Sequence, residues 1–127
     1  MMQGFKVSAA DLRPGTRDVQ VEGELDLAVA GQLDEVLGTA VEECEQVLVG
    51  LERCTFIDSS GIAVILRAHH RLQEEGRQLL VYGPKDQVLR VLSMTGLTGN
   101  GLVFASAEEA LAGLGGAGDA GLAGSSS

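Results

Sequence analysis

The chain of 127 residues contains no tryptophan, one tyrosine, three phenylalanines and two cysteines. With so few aromatic residues, the hydrophobic core has to be built from Leu, Val, Ile and Ala, since apolar residues make up 45% of the chain. The spacing of Cys44 and Cys54 fits no zinc or redox motif, and we interpret both as small apolar residues in a reducing compartment. The length suits one domain that folds without disulfides or a metal.

Positive charge is also scarce, because nine Lys and Arg residues stand against 18 Asp and Glu residues and the formal net charge is −9. No basic cluster appears, so we expect no nucleic acid as a partner, since phosphate binding needs local positive charge. An acidic surface instead favours a basic protein partner. Residues 1–10 lack a signal-peptide core and no run approaches 18 apolar residues, so we expect a cytoplasmic protein without membrane insertion.

The apolar residues that are present repeat with the periods of strands and helices in turn. Alternation around Val7 and around Val21 predicts two strands of a hairpin, separated by a turn in residues 11–18. A stripe with helical spacing begins at Leu33. Further strands are predicted at 47–51, 79–82 and 102–104, with a polar break at 52–55, and further helices at about 60–75, at 84–95 beginning with Pro84, and after the capping residue Ser106.

The resulting order, β-β-α-β-α-β-α-β-α, places the chain in the α/β class. Alternating strands and helices imply a single domain with a mixed sheet of about four or five strands and helices packed on it. The predicted domain covers residues 1–112. Residues 113–127 are almost entirely Gly, Ala and Ser, and because such a segment cannot offset its ordering entropy, we expect a disordered tail there.

A polar segment, Asp58-Ser59-Ser60-Gly61, separates two apolar runs where a strand ends and a helix begins. Ser and Asp are strong N-caps, so a cap and a turn alone account for the segment. The same geometry exposes a hydroxyl at a helix N-terminus, which favours negative charge and tolerates a phosphate of roughly −1.5 to −2 charges. Asp26 also follows a strand, and it either caps the next helix or belongs to the same site beside Ser59.

Catalysis at these serines is not supported by the residues around them. Ile57 stands where a Gly-x-Ser-x-Gly elbow around Ser59 needs its first glycine. The two histidines, His69 and His70, lie too far along the same predicted helix to activate Ser59 or Ser60, and adjacent helical histidines point in different directions, which is poor metal geometry. We interpret His69 as a residue at the edge of the core and His70 as solvated. We therefore expect no enzyme activity, no catalytic residue, no metal and no cofactor.

Three segments occur in a particular order: VEGELDLAVAGQLDEVL (21–37), VLVGLERCTFIDSSGIAVIL (47–66) and VLRVLSMTGLTG (88–99). Together they resemble the STAS domain, and among its members the free-standing bacterial anti-sigma factor antagonists, over about residues 3–112. The resemblance implies the same fold as the predicted element order. The chain departs from the family pattern at Gly50, where many relatives carry an acid, and at Val29 and Gly31, where Thr and Pro are frequent.

The resemblance also implies a function. In this family the unphosphorylated antagonist binds an anti-sigma factor that is also a serine kinase, and this binding frees a sigma factor. Phosphorylation of the first hydroxyl residue after the acid, here Ser59, switches binding off, and a PP2C-type phosphatase reverses it. The resemblance alone selects Ser59 over Ser60. Asp58 and Asp26 match acids of the phosphorylation motif and of the partner-facing loop. The partner-binding surface is therefore expected to include Asp26, Asp58, Ser59, Ser60, Gly61 and Ile62.

An alternative function uses the same fold without a phospho-switch. The chain would then be a stand-alone STAS subunit of a stress-signalling or lipid-transport assembly, and binding of a small ligand or nucleotide at the same loops stays open. The acidic balance and the lack of a heptad pattern favour a monomer when the protein is free.

Overall fold

The computed structural model describes residues 4–99 and 101–114. These residues form a five-stranded mixed sheet with helices packed on it, which confirms the predicted α/β class and the alternating order. Residues 113 and 114 continue the last helix, where Leu114 is buried. The rest of the predicted tail, 115–127, lies outside the described residues.

Short connections join the elements. In chain order they are β1 (Lys6–Arg13), β2 (Thr16–Leu25), α1 (Leu27–Glu43), β3 (Gln46–Ile57), α2 (Ser59–Glu74), β4 (Gln78–Tyr82), α3 (Asp86–Met94), a 3₁₀ turn (Leu97–Gly99), β5 (Val103–Phe104) and α4 (107–114).

The five strands lie in the sheet in chain order, with β1 antiparallel to β2 and all other neighbours parallel. The predicted hairpin is thereby confirmed. The three connections between parallel strands all step across the sheet in the same direction. Because such crossovers are right-handed, they place α1, α2 and α3 on one face. The carboxyl ends of the parallel strands then meet the helix N-termini at one edge of the sheet.

The core is aliphatic, as the composition predicts. Its larger part lies between α1–α3 and the sheet, where Leu33, Val49 and Leu72 are completely buried. A smaller cluster on the opposite face joins α4, through Ala110 and Leu114, to β3 and β4. Burial of such side chains contributes about 1.5–3 kcal/mol each, so the helices are fixed firmly against the sheet.

Two predicted breaks were wrong because polar residues continue a strand. β3 runs on through the predicted break at 52–55, and its last residues still pair with β2. There Cys54 and Ile57 are buried, whereas residues 52, 53, 55 and 56 are exposed. The predicted turn at 11–18 is confined to two residues, since the strands reach Arg13 and resume at Thr16.

The third helix begins later than predicted. Its first residue is Asp86 and its N-cap is Lys85, so Pro84 lies outside it. Asp86 has a φ of 50°, in the left-handed region that residues other than glycine rarely adopt. The chain therefore turns after Gly83-Pro84 before the helix starts, rather than entering it through the proline.

The ring of the buried Tyr82, on β4, fills the space that a side chain at Gly50 of β3 would need. The Tyr82 hydroxyl donates to the carboxylate of Asp18, at 2.9 Å, and accepts a hydrogen bond from the Gln20 amide at 2.8 Å. Burial and the Asp18 hydrogen bond raise the pKa of Tyr82 above its usual range, so the phenol stays a neutral donor. A Cβ atom at Gly50 would lie 2.5 Å from the Tyr82 hydroxyl, so the ring needs glycine at that position.

Candidate functional site

The carboxyl ends of β2 and β3 bring two acidic residues to the same edge of the sheet. Leu25 and Ile57 are paired in register, so Asp26 and Asp58 follow at neighbouring strand ends. The amide of Asp58 donates to the carbonyl of Leu25 at 3.3 Å, which ties the two ends together. Asp26 therefore lies beside the Asp58-Ser59 segment, and it caps a helix as well. The capping interpretation is confirmed, and a place for Asp26 in a partner-binding site stays a prediction.

Each aspartate is the N-cap of the helix that follows it. Asp26 accepts a hydrogen bond from Ala28 N at 3.0 Å. Asp58 accepts hydrogen bonds from Ser60 N at 2.9 Å and from Gly61 N at 3.4 Å. Carboxylates at this position satisfy amide groups that have no partner within the helix. The capping function of the segment is thus carried by Asp58 and by neither serine.

Ser59 is the first residue of α2 and is exposed, whereas Ser60 is half-buried. Within the part of the chain that the structure describes, no hydrogen bond involves the hydroxyl of either residue. The fold therefore makes no use of the Ser59 hydroxyl, which projects at the sheet edge with its oxygen open to a reagent or a partner.

The next two residues fix the start of α2 to the core. A Cβ at Gly61 would lie 2.6 Å from Cγ of Leu25, so only glycine lets the helix approach the strand ends this closely. Ile62 is 7% exposed and belongs to the hydrophobic core. Gly61 and Ile62 thus offer a partner little side-chain surface, and their place in a partner-binding surface stays a prediction.

Two exposed apolar residues stand close in sequence to the two aspartates. Leu27, the first residue of α1, is 76% exposed, and Phe56, two residues before Asp58, is 37% exposed. Exposed apolar patches, especially those rimmed by polar residues, often mark protein interfaces. The edge therefore combines a free hydroxyl, two carboxylates and apolar surface.

One residue of this edge, Gln87, was not predicted from the sequence. Its side-chain oxygen accepts from Ile57 N at 3.1 Å, and its side-chain nitrogen donates to Ile57 O at 3.2 Å. The predicted stripe of α3 named its apolar residues only, and a half-buried glutamine beside them has no distinctive spacing.

The charges and hydrogen bonds at this edge determine how a phosphate on Ser59 would interact with the protein. Asp58 already accepts from the amides of Ser60 and Gly61, so these groups are not free to bind a phosphate on Ser59. The partial positive charge at the N-terminus of α2 would favour the phosphate, while the Asp58 carboxylate would repel it. This attraction and this repulsion oppose each other, so a phosphate on Ser59 would not be expected to change the fold.

Other reactive groups lie away from this edge. His69 is half-buried on α2, and desolvation lowers its pKa; His70 is exposed. These positions confirm the interpretation of His69 as a core-edge residue and of His70 as solvated. Across residues 4–99 and 101–114, no group of three His, Cys, Asp or Glu side chains could hold a metal ion. None of the helices described combines the length and apolar composition that crossing a bilayer requires.

Comparison with known proteins assigns the family. The model of the STAS domain matches residues 8–110. The chain belongs to the STAS domain family. An anti-sigma-B factor antagonist from Staphylococcus aureus is 30% identical over 81 residues, which are 63% of this chain and 75% of that relative. The resemblance seen in the three sequence segments is thereby confirmed.

Solved structures share this STAS fold. The anti-sigma factor antagonist SpoIIAA in its unphosphorylated form matches with a TM-score of 0.73 and 24% identity, over 84% of this chain and 93% of that one. SpoIIAA from Bacillus in its phosphorylated form gives 0.68 and 23%, over 84% and 96%. A sulfate transporter family protein from Wolinella succinogenes gives 0.67 and 23%, over 81% and 87%. The fold by itself is therefore shared by proteins of different function.

Proposed function

We propose that this STAS protein is an anti-sigma factor antagonist controlled by phosphorylation of Ser59. In its unphosphorylated form it binds an anti-sigma factor that is also a serine kinase, and this frees a sigma factor for transcription. The kinase phosphorylates Ser59 and a PP2C-type phosphatase removes the phosphate. The antagonist relative from Staphylococcus aureus and the SpoIIAA structures in two phosphorylation states support this assignment.

One observation carries the proposal: the Ser59 hydroxyl is exposed and unused by the fold, although it stands in the first turn of a capped helix. A serine that served only as a cap would accept hydrogen bonds from first-turn amides. Here Asp58 accepts them instead. The hydroxyl is thus available to a kinase without any loss of local structure.

The switch follows from the charges at this edge. Binding would desolvate Ser59 together with Asp26, Asp58 and the exposed side chains of Leu27 and Phe56. A phosphate adds roughly −1.5 to −2 charges next to the Asp58 carboxylate and three strongly hydrated oxygens. A partner surface shaped for a neutral hydroxyl leaves such a charge unpaired, which costs of order 2–5 kcal/mol in binding. The affinity falls while the fold stays the same.

The first experiment is intact-mass and peptide mass spectrometry of the protein purified from its own cells, in growth, stress and stationary phase. We expect a phosphate on Ser59 and none on Ser60. Absence of phosphate under all of these conditions would contradict the switch and favour a STAS subunit of a constitutive assembly.

The second experiment measures binding to purified anti-sigma factors of the same host that contain a kinase domain. Ser59→Asp should weaken binding at least about 100-fold, which corresponds to ~2.7 kcal/mol. Ser59→Ala should bind as tightly as the wild type and resist release by ATP. Ser8→Asp is the matched control, because Ser8 is also exposed but stands opposite Gln20 in β1, on the sheet face that carries Tyr82.

Equal weakening by Ser8→Asp and Ser59→Asp would show that added negative charge acts from any position, which contradicts a specific switch. Unfolding of Ser59→Asp would show that Ser59 has a structural role. Circular dichroism of all three variants separates these outcomes from a true loss of binding.

A further inference from the structure

The last part of β3 extends beyond its neighbour on one side. β4 pairs with β3 from Gln46 to Gly50, and within the described chain residues 51–57 have no strand partner on that side. Unpaired backbone groups next to a buried strand are costly, so other groups have to satisfy them. Ile57 is the last residue of this extension and directly precedes Asp58.

The Gln87 side chain takes the place of the missing strand at Ile57. Because Asp58 N donates towards β2, the N–H and C=O of the preceding Ile57 point to the opposite side. The Gln87 amide meets both groups there, accepting at 3.1 Å and donating at 3.2 Å. Two hydrogen bonds from one planar amide fix both the position and the orientation of the peptide groups that they join.

Gln87 itself is held in place by the core. Val88, the next residue, is completely buried, and Leu92, one turn further on, is 2% exposed. α3 is thus anchored through its apolar face, and the left-handed Asp86 sets the start of the helix one residue before Gln87. The amide is therefore carried on a fixed element rather than on a mobile loop.

We propose that Gln87 is a positioning residue for the Ser59 site. By holding the main chain of Ile57, it fixes the Asp58 cap and, through it, the direction in which the Ser59 hydroxyl leaves the sheet edge. Functional groups are generally held within about 0.5 Å of their productive geometry by neighbours that are themselves fixed by packing and hydrogen bonds. This inference rests on the proposed phosphorylation of Ser59 for its function, but its structural part does not depend on that phosphorylation.

The test uses Gln87→Met, which keeps the length of the side chain and removes both hydrogen bonds. Gln46→Met is the matched control: Gln46 is also half-buried, begins the same strand at its other end, and accepts a hydrogen bond from Thr16 at 3.0 Å. Amide hydrogen exchange by NMR is measured on the unphosphorylated full chain, together with the stability to urea.

Gln87→Met should accelerate exchange at Ile57, Asp58, Ser60, Gly61 and Ile62 by at least about tenfold beyond the change in core amides such as Val49. Gln46→Met should leave these five amides unchanged relative to the core. Uniform acceleration that follows global stability, or no change at the five amides, would overturn the inference. If Gln87→Met does not fold, Gln87→Glu replaces it, since it keeps the acceptor but cannot donate to Ile57 O when ionised.

Phosphate occupancy of Ser59 in host cells gives the functional readout. Where the wild type carries the phosphate, Gln87→Met should lower the occupancy severalfold and Gln46→Met should not. Faster amide exchange with unchanged phosphate occupancy would show that the hydrogen bonds of Gln87 have no role in phosphorylation. If the wild type carries no phosphate at all, the proposed function fails, while the exchange data still decide whether Gln87 holds the segment.

Discussion

The starts of α1 and α2 resemble each other in backbone and differ in what they present. Asp26 and Asp58 have nearly the same dihedral angles, φ −118° and ψ −175° against φ −119° and ψ −174°. After the cap, however, α1 continues with Leu-Ala-Val and α2 with Ser-Ser-Gly. The shared part is a device for beginning a helix. The differing part would carry the proposed function, because one helix offers an exposed apolar side chain and the other an exposed hydroxyl.

The two helices also differ in how closely they approach the strand ends. The third residue after each cap is Val29 in α1 and Gly61 in α2. α1 has space for a branched side chain there, whereas a single Cβ at Gly61 would collide with Leu25. The serine-bearing helix is thus packed more closely against the strand ends, as the proposed recognition of Ser59 by a kinase would require.

The largest effect on stability should come from disrupting the close packing of Gly61 against Leu25. Gly61→Ala forces a Cβ to 2.6 Å from Leu25 Cγ and to 2.8 Å from its Cδ2. Overpacking of this kind should lower the free energy of unfolding by about 1–3 kcal/mol. Gly38→Ala is the control, because a Cβ there meets open space within α1 and should raise stability by about 0.5–1 kcal/mol. Equal effects in urea denaturation would show that the two helices are seated alike.

The next effect should come from removing the caps one at a time. Asp58→Ala and Asp26→Ala should each lower the free energy of unfolding by about 0.5–2 kcal/mol. Asp58→Ala should be the more costly, since Asp58 accepts from two amides and Asp26 from one. Urea titrations of both variants measure the difference. A larger loss for Asp26→Ala would reverse the assigned importance of the two caps.

A smaller effect is expected for the serine itself. Ser59→Ala should change the free energy of unfolding by no more than about 0.5 kcal/mol, because its hydroxyl has no hydrogen bond in the described structure. Leu27→Ala at the equivalent position of α1 is the control, since that side chain is 76% exposed. A loss as large as that of Asp58→Ala would make Ser59 a structural residue after all.

The smallest effect concerns the pH dependence of stability. It depends on His69, which lies further along α2, and not on the two aspartate caps. Desolvation lowers the pKa of His69 in the folded state, so the unfolded chain binds its proton more readily. Stability contributed by neutral His69 is present above the unfolded pKa near 6.5 and falls as the pH drops below it. His69→Gln should flatten the decline in urea stability between pH 7 and about 5.5. His70→Gln, which changes an exposed histidine, should not.

The predictable part of this molecule is the part governed by short-range patterns. Helical stripes and capping residues indicated α1 and α2 because each depends on residues within a few positions of one another. The extension of β3 was missed because Glu52 and Arg53 are exposed beyond the end of β4, a property set by the length of another strand. Gln87 was missed for the same reason: its partner, Ile57, is distant in the chain.

The candidate site also has a part that local patterns predict and a part that they do not. Asp58 and Ser59 stand out as neighbours in a polar segment between apolar runs, and Asp26 precedes a helical stripe. Their meeting at one edge was left open by local patterns, since it requires the register between Leu25 and Ile57. Equally, only the structure shows that Asp58 takes the cap and leaves both serine hydroxyls without a partner in the described residues.

The packing of Tyr82 across Gly50 has a consequence for the evolution of the sequence. The tyrosine hydroxyl occupies the space that any side chain at position 50 would need, and it is held there by Asp18. A lineage that gains a side chain at 50 must therefore first lose the ring at 82, and one that keeps the ring must keep the glycine. A side chain at position 50 is therefore expected only in sequences that lack the ring at position 82, so the two positions should covary in an alignment of descendants.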